Sequence, residues 1–515
     1  MDAHPIGTAL VADYEAGAGV APSGVDPDRG GEPGPWLAAT LPVLDLAAGS
    51  VRALLRAAVR AGATGPLAEA PLDLSRLAAS FASDRLLRLD GHPVSAWSPL
   101  SGFFRTADGW VRTHANYPHH RHRLLAALGL HGGGSRADGA PAVGDPAVPP
   151  TVSRGDGPTA RAHPLTDIRA EDFARALASL TAREVEESAT AAGAIAVAVR
   201  MEGTWRASPQ GVAAAEGPLV RLTVREDVGP PRPLAGAGTP LPLAGVRVLD
   251  LTRVIAGPIA TRALALLGAD VLRVDPPVPA EIRWQHLDTG QGKRSTLLDL
   301  HDDGDRERAQ GLLDAADVLV TGYRPGSLAR FGLRVPPGGV RARVSAWGES
   351  GPWATRRGFD SIVQAATGIA IIESPGGEPL SPPTQRGQSL GGPSLGDPSP
   401  GGEARAAPRP GALPAQALDH ATGYLLAAGV LDALAARAAD GRGRDVVVSL
   451  ARTATWLLDA PGRDPAHPPA ADPPLAASVS HGHAPEVTTA RPAVPGFDDY
   501  PTPAHPWATD HATWR

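Results

Sequence analysis

The stretch "VRVLDLTRVIAGPIATRALALLGADVLRVDPP", residues 246–277, restricts the fold more than any other part of the chain. It reads as an apolar strand, a glycine turn, an amphipathic helix and a second strand. The same alternation continues through "DVLVTG" and "VRARVSAWG", which predicts an α/β domain over 242–372 with a parallel sheet covered by helices on both faces. This domain opens only near the middle of 515 residues. A second body must therefore precede it.

Residues 1–35 are Gly, Pro, Ala and Asp rich without periodicity and are expected to form a disordered arm. Residues 36–82 carry helical spacing, with Arg52, Arg56 and Arg60 four apart on a face expected to be solvated. Residues 83–223 are expected to be a small α+β domain. In it the Asp108-Gly109 turn joins two aromatic-rich runs, and a Gly-rich gap, "HGGGSRADGAPAVGDPAVPP", forms a flexible insertion. Residues 224–241 read as a linker. Residues 242–373 and 415–460 form the larger α/β domain, in which a long helix ends at Gly441 or Gly443. Between them, more than half of residues 374–414 are Gly, Pro or Ser, too little apolar surface to offset chain entropy, and a disordered insertion is expected. Residues 461–515 are a Pro-rich tail.

The net charge of −6 supplies no basic field for phosphate backbones, so nucleic acid is not an expected partner. The absence of cysteine removes disulfides, thiolate metal sites and a Cys nucleophile. No basic-then-apolar leader opens the sequence and no apolar run is long enough to cross a bilayer, so no membrane partner and a cytoplasmic location are expected. Of the 48 basic residues all but Lys293 are arginine. A lone lysine in such a chain is a candidate phosphate contact, since an ammonium is a compact charge.

Several familiar chemistries fail on spacing. The turn after Leu251 lacks Gly-x-Gly-x-x-Gly, and Pro258 removes one donor that a dinucleotide cradle would use. No Gly-x-Ser-x-Gly elbow is present. The cluster His114, His119, His120 and His122 contains Pro118, fits no helical metal-ligand pair and is expected to be an exposed, Arg-interleaved loop; no metal is expected.

Five segments taken together, "PLAGVRVLDLTRVIAGPIATRALALLGADVLRVDPP", "GKRSTLLDL", "ADVLVTGYRPGSLARFGL", "VSAWGESGPWATRRGFDSIVQAATG" and "ALDHATGYLLAAGVLDALAARAADGRGRDVVVSL", resemble the family III CoA-transferases. That superfamily includes formyl-CoA transferase, carnitine CoA-transferase and the α-methylacyl-CoA racemases. "FFRTADGWV" and "GAIAVAVRMEGTWRASPQGVAAAEGPLV" resemble the family's second half, yet here they come first. The resemblance thus implies a circular permutation, with a Rossmann-like CoA-binding domain following the small one and 224–241 as the new joint.

The resemblance implies transfer of CoA from an acyl-CoA to a carboxylic acid, with CoA and its thioesters as substrates, no permanently bound cofactor, and a homodimer. It implies that Asp419 is the nucleophile: a mixed anhydride forms, then an aspartyl-CoA thioester. A carboxylate near a helix N-terminus is expected to stay ionised, although an Asp there also serves commonly as an N-cap. His420 beside it is expected in a solvated loop, and Asp397 lacks a following helix. For CoA, the resemblance implies contacts from Val254, Ile255, Ala256, Arg273, Lys293, Arg294, Arg324 and Arg330. The racemase branch places a His before the Asp of "RRGFD", where this chain has Phe359, and a phenyl ring cannot move a proton. A racemase or isomerase, or a CoA-binding protein without catalysis, are the alternatives.

Overall fold

A computed structural model describes residues 6–22, 34–130, 168–375, 409–473, 477–480 and 486–515. In chain order the elements that position the site are α1 (Thr8–Ala18), α2 (Val43–Arg60), α3 (Leu74–Phe81), β1 (Phe103–Arg105), β2 (Trp110–Thr113), α4 (Pro118–Ala127), α5 (Ala182–Ala191) and β3 (Ala196–Ala198). There follow β4 (Arg221–Val228), β5 (Arg247–Leu251), α6 (Ala256–Leu266), β6 (Asp270–Asp275), β7 (Arg294–Leu297), β8 (Val318–Thr321), β9 (Val340–Ser345), α7 (Asp360–Thr367), α8 (Ala417–Asp440) and β10 (Arg442–Ser449).

The opening stretch folds as β5, α6 and β6, and the expected parallel sheet is present. Its seven strands run β4-β10-β9-β8-β5-β6-β7, all parallel except β4, which pairs antiparallel with β10. Strand order reverses at β5: the chain goes outward through β6 and β7, then returns to β8 on the other side. In an open α/β sheet such a reversal leaves a crevice at the carboxyl ends of the strands, where ligands bind.

Helix α8 is apolar nearly all round and buried along most of its length, as its composition demands. It crosses α6 so closely that a Cβ on Gly423 would stand 2.6 Å from the Ala256 carbonyl, so only glycine fits there. Gly441, at φ 70°, closes the helix in the left-handed conformation. Helix α2 lies along α8, and their contact carries ions. The Tyr14 hydroxyl and the Arg60 Nε donate to Asp432 at 2.5 and 2.7 Å, while Arg60 Nη1 reaches Glu15 at 2.9 Å.

That network corrects two expectations. The Arg52, Arg56 and Arg60 face is not solvated: Arg52 is buried, and Arg56 and Arg60 pair with Glu15 on α1. The arm 1–35 contains α1, whose Leu10, Val11 and Tyr14 are fully buried. Alanine and glycine hid this helix from a periodicity reading because its apolar face is only three side chains wide. The linker 224–241 likewise loses Val224–Val228 to β4, where alternating polar residues suit a sheet edge.

The Asp108-Gly109 turn joins β1 to β2 as expected, and β3 completes a three-stranded sheet. This small domain meets the larger one through Trp205, Trp347 and Trp353, whose ring centroids lie 4.8 to 6.0 Å apart, and through Arg356 to Glu186 at 3.1 Å. The Pro-rich tail is not featureless. Residues 502–515 run over the outer strand β7: Ser295 N donates to Asp510 Oδ2 at 2.8 Å and Trp514 Nε1 to the Leu312 carbonyl at 2.9 Å. The Gly-rich gap, Asp397 and most of 374–414 lie outside the described residues.

Candidate active site

Asp419 occupies the first turn of α8, not its N-cap, which is Gln416 and makes no side-chain cap bond. The free amides of that turn go to another carboxylate. Asp360, at the start of α7, accepts from Asp419 N at 2.9 Å, and the Leu418 amide also bonds to it. Gln364 steadies Asp360 by donating its Nε2 to Oδ1, and its own carbonyl oxygen accepts from Leu413 N at 2.9 Å. An external carboxylate thus does the work of an N-cap.

Asp419 is 6% exposed as a residue and Asp360 is fully buried. Burial, then the neighbouring Asp360, push Asp419 well above the carboxylate range. Burial raises Asp360 to about 6, a rise its amide partners restrain. Two carboxyls this close do not ionise independently. The hydrogen-bonded charge belongs to Asp360, whose amide donors Asp419 lacks. Desolvation and a like charge thus both act against the ionised Asp419 that a helix terminus alone would favour.

Around this pair the small domain contributes aromatic and basic groups that sequence reasoning placed elsewhere. His114 directly follows β2 and stacks on Phe359 with centroids 3.8 Å apart and planes 6° from parallel. His120 meets the same ring at 5.9 Å. His119, His120 and His122 lie on α4, with Pro118 at its first turn, so the exposed-loop expectation is corrected. Proline at the start of a helix costs no hydrogen bond, and the sequence signal was there to read. Burial holds the His114 imidazole down to about 3 and His120 to about 2. Both rings are neutral. Arg112, buried between the rings of Trp97 and Phe103 at 4.7 and 4.8 Å, is the cation that acts on Asp360.

His420 is also not in a solvated loop. It is 2% exposed on α8 and stacks on Phe81 of α3 at 5.1 Å, with burial lowering it to about 3.

The residues expected to hold CoA fall into two groups. Val254, Ile255 and Ala256 form the turn from β5 into α6, and the segment after β8 carries Arg324 and Arg330; β5 and β8 are neighbours, so both segments leave the sheet beside the strand-order reversal. Val254 has φ 72°, a conformation costly for a β-branched residue, and its amide donates to Glu281 at 3.2 Å. Arg324 and Arg330 are exposed, Arg330 resting on the Phe331 ring. The other three point into the protein. Arg273 is 1% exposed and pairs with Asp275 and Glu281, each at 2.8 Å. Lys293 Nζ bonds Thr261 Oγ1 at 2.9 Å and both Asp250 Oδ2 and the Pro258 carbonyl at 3.2 Å, and burial brings it down to about 8. Arg294 turns to Asp270 at the amino end of β6.

Glu281, unremarked in the sequence, joins these groups. It accepts from the Tyr117 hydroxyl at 2.5 Å, pairs with Arg253 and Arg273, and is drawn to about 2 by those two arginines against the effect of burial. No group of residues suited to a metal ion occurs among the described residues.

Residues 243–471 match the family model described as CoA-transferase family III. Curated relatives include an acetyl-coenzyme A transferase of Hypoxylon pulicicidum, 33% identical over 45% of this chain and 36% of that protein. Another is a probable fatty acyl-CoA transferase of Mycobacterium tuberculosis, 30% identical over 42% and 52%. A succinyl-CoA:glutarate CoA-transferase of Mus musculus is 32% identical over 29% and 39%. A crystal structure of a hypothetical protein from Mycobacterium tuberculosis aligns at 30% identity and TM-score 0.34, covering 42% of this chain and 57% of that one. The chain spans about a third to a half of the length of these curated relatives. The similarity to CoA-transferase family III thus falls on residues 243–471, which hold β5 to β10 and both Asp360 and Asp419.

Proposed function

We propose that this protein is an enzyme that transfers CoA from an acyl-CoA thioester to a carboxylic acid through Asp419. The observation that carries the reading is Asp419 itself: buried in the first turn of α8 and held in place through its amide by Asp360. Once ionised, its oxygen attacks the thioester carbonyl, forming a mixed anhydride and releasing the CoA thiolate. The thiolate attacks the aspartyl carbonyl, giving an aspartyl-CoA thioester and freeing the first acid. The acceptor carboxylate then displaces CoA to form a second anhydride, whose acyl group CoA takes up as Asp419 is regenerated. Covalent catalysis divides one acyl transfer into easier steps, and a carboxylate with a raised pKa is the stronger nucleophile when charged. CoA lies with its nucleotide in the crevice lined by Val254, Ile255, Ala256, Arg324 and Arg330, and no resident cofactor takes part. The small domain ahead of the larger one is a circular permutation, consistent with β4 returning from it to pair with β10.

The test is intact-protein mass spectrometry after incubation with a panel of acyl-CoAs and hydroxylamine trapping. An adduct on Asp419 that disappears in Asp419→Asn supports the reading. CoA binding without any adduct would sink it.

One observation favours a second reading, an acyl-CoA racemase or isomerase: an imidazole, His114, lies against the Phe359 ring. Deuterium exchange at the α-carbon of a chiral acyl-CoA, lost in His114→Ala, would establish that activity instead.

A further inference from the structure

Among the described residues most arginines have carboxylate partners; Arg356 reaches Glu186 at 3.1 Å. Its neighbour Arg357 does not. Arg357 Nη1 donates only to the Gly193 carbonyl, at 2.8 Å, and Arg324 Nη1 to the Thr355 carbonyl, at 3.1 Å. Arg123, on α4 of the small domain, completes the group. Its Nη1 and that of Arg357 lie 3.8 and 2.9 Å from the point where a side chain on residue 193 would begin, and Gly193, at φ 63°, leaves that space open. Among the described residues none of the three guanidiniums is paired with a carboxylate.

Like charges assembled without counter-charges are unfavourable unless something else brings the negative charge. Here the cost is visible: burial, then Arg324 and Arg123, lower Arg357 to about 10, and Arg123 and Arg357 both act on His119. The chain as a whole is acidic, so the cluster is a local construction. It is half-buried to exposed, and it sits between the crevice loop of Arg324 and the segment that leads into Phe359 and Asp360. Guanidiniums are suited to oxyanions because they offer paired, planar donors.

We infer that Arg123, Arg324 and Arg357 form a substrate oxyanion subsite spanning the two domains, which binds either a phosphate of CoA or a second carboxylate on the acyl group. The inference rests on the acyl-CoA reading above.

Calorimetric titrations in the full chain carrying Asp419→Asn, where transfer chemistry is absent, separate this inference from the nucleophile's role. Two ligand pairs identify the anion: CoA against pantetheine for phosphate, and succinyl-CoA against butyryl-CoA for carboxylate. Arg357→Gln and Arg123→Gln are each expected to weaken, by about tenfold, the member of one pair that carries the tested group and to leave the member lacking it unchanged. The pair that responds names the source. Folding is checked by the thermal midpoint, and Arg357→Lys is expected to restore part of the preference. Equal losses on both members of each pair, or no loss on any, would overturn the subsite.

Discussion

The amide of Asp419 donates to Oδ2 of Asp360 at 2.9 Å across 59 positions of sequence, so one carboxylate both caps the helix turn and repels the charge of the other. Replacing Asp360 by Asn keeps an acceptor oxygen and removes the repulsion. Asp419 then ionises at lower pH, and the acidic limb of the kcat/KM profile is expected to move to lower pH. An unmoved limb would mean that Asp360 does not set the nucleophile's ionisation.

The same pair makes stability depend on pH. Asp360 is raised from 3.8 to about 6 and Asp419 is raised as well, so above 3.8 the folded state holds more protons than the unfolded one. Stability from this pair is present at low pH and is lost as pH rises through the folded values. Denaturant midpoints for wild type and Asp419→Asn at pH 5 and pH 7 isolate the effect from that of Asp84, which is also raised to about 6. The mutant is expected to lose less stability over this interval, and an equal loss would contradict the assignment.

Lys293 distinguishes interior pairing from ligand contact. Its ammonium is tied to Asp250 and Thr261 beneath α6, so Lys293→Met leaves Asp250 unpaired and is expected to cost about 3–5 kcal/mol. CoA affinity, measured on the folded fraction, should stay within about twofold. A large affinity loss with an unchanged unfolding midpoint would restore Lys293 to the crevice.

The residues ahead of the family domain are built into the core beneath the site. Phe81 is fully buried and stacks on both His420 and Tyr424 of α8. Truncation to Ala is expected to destabilise by about 3–5 kcal/mol, with one cooperative transition for the chain. Two separate transitions would show that the N-terminal helices unfold independently.

The sheet was legible because β5, β6, β8 and β9 are apolar runs at regular spacing, and α8 because it is apolar over many turns and ends on a glycine. Two kinds of feature escaped. Helix α1 is short and Ala/Gly rich, so its burial depends on Asp432 and Glu15 meeting Arg60 far along the chain, which no local pattern reveals. The ionic roles of Arg273, Lys293 and Glu281 depend on which way a side chain points from a strand end, and "GKRST" reads the same whether its lysine faces solvent or Asp250. His114 and His120 were misplaced because polar residues at a domain junction look like surface when one domain is read alone. In "RRGFD" nothing distinguishes Asp360 from a surface acid; its role lies in the Asp419 amide it accepts.

The ends of the long Gly/Pro/Ser stretch are fastened to each other. Ser374 Oγ donates to the Arg409 carbonyl at 2.5 Å, and Gly411 N to the Ala370 carbonyl at 2.8 Å. Leu413 is then tied to Gln364, which steadies Asp360. The distance from Asp360 to Asp419 is therefore set by a buckle, and the number of residues between its two sides can be raised, lowered or replaced by a reporter while the two carboxyls stay where they are.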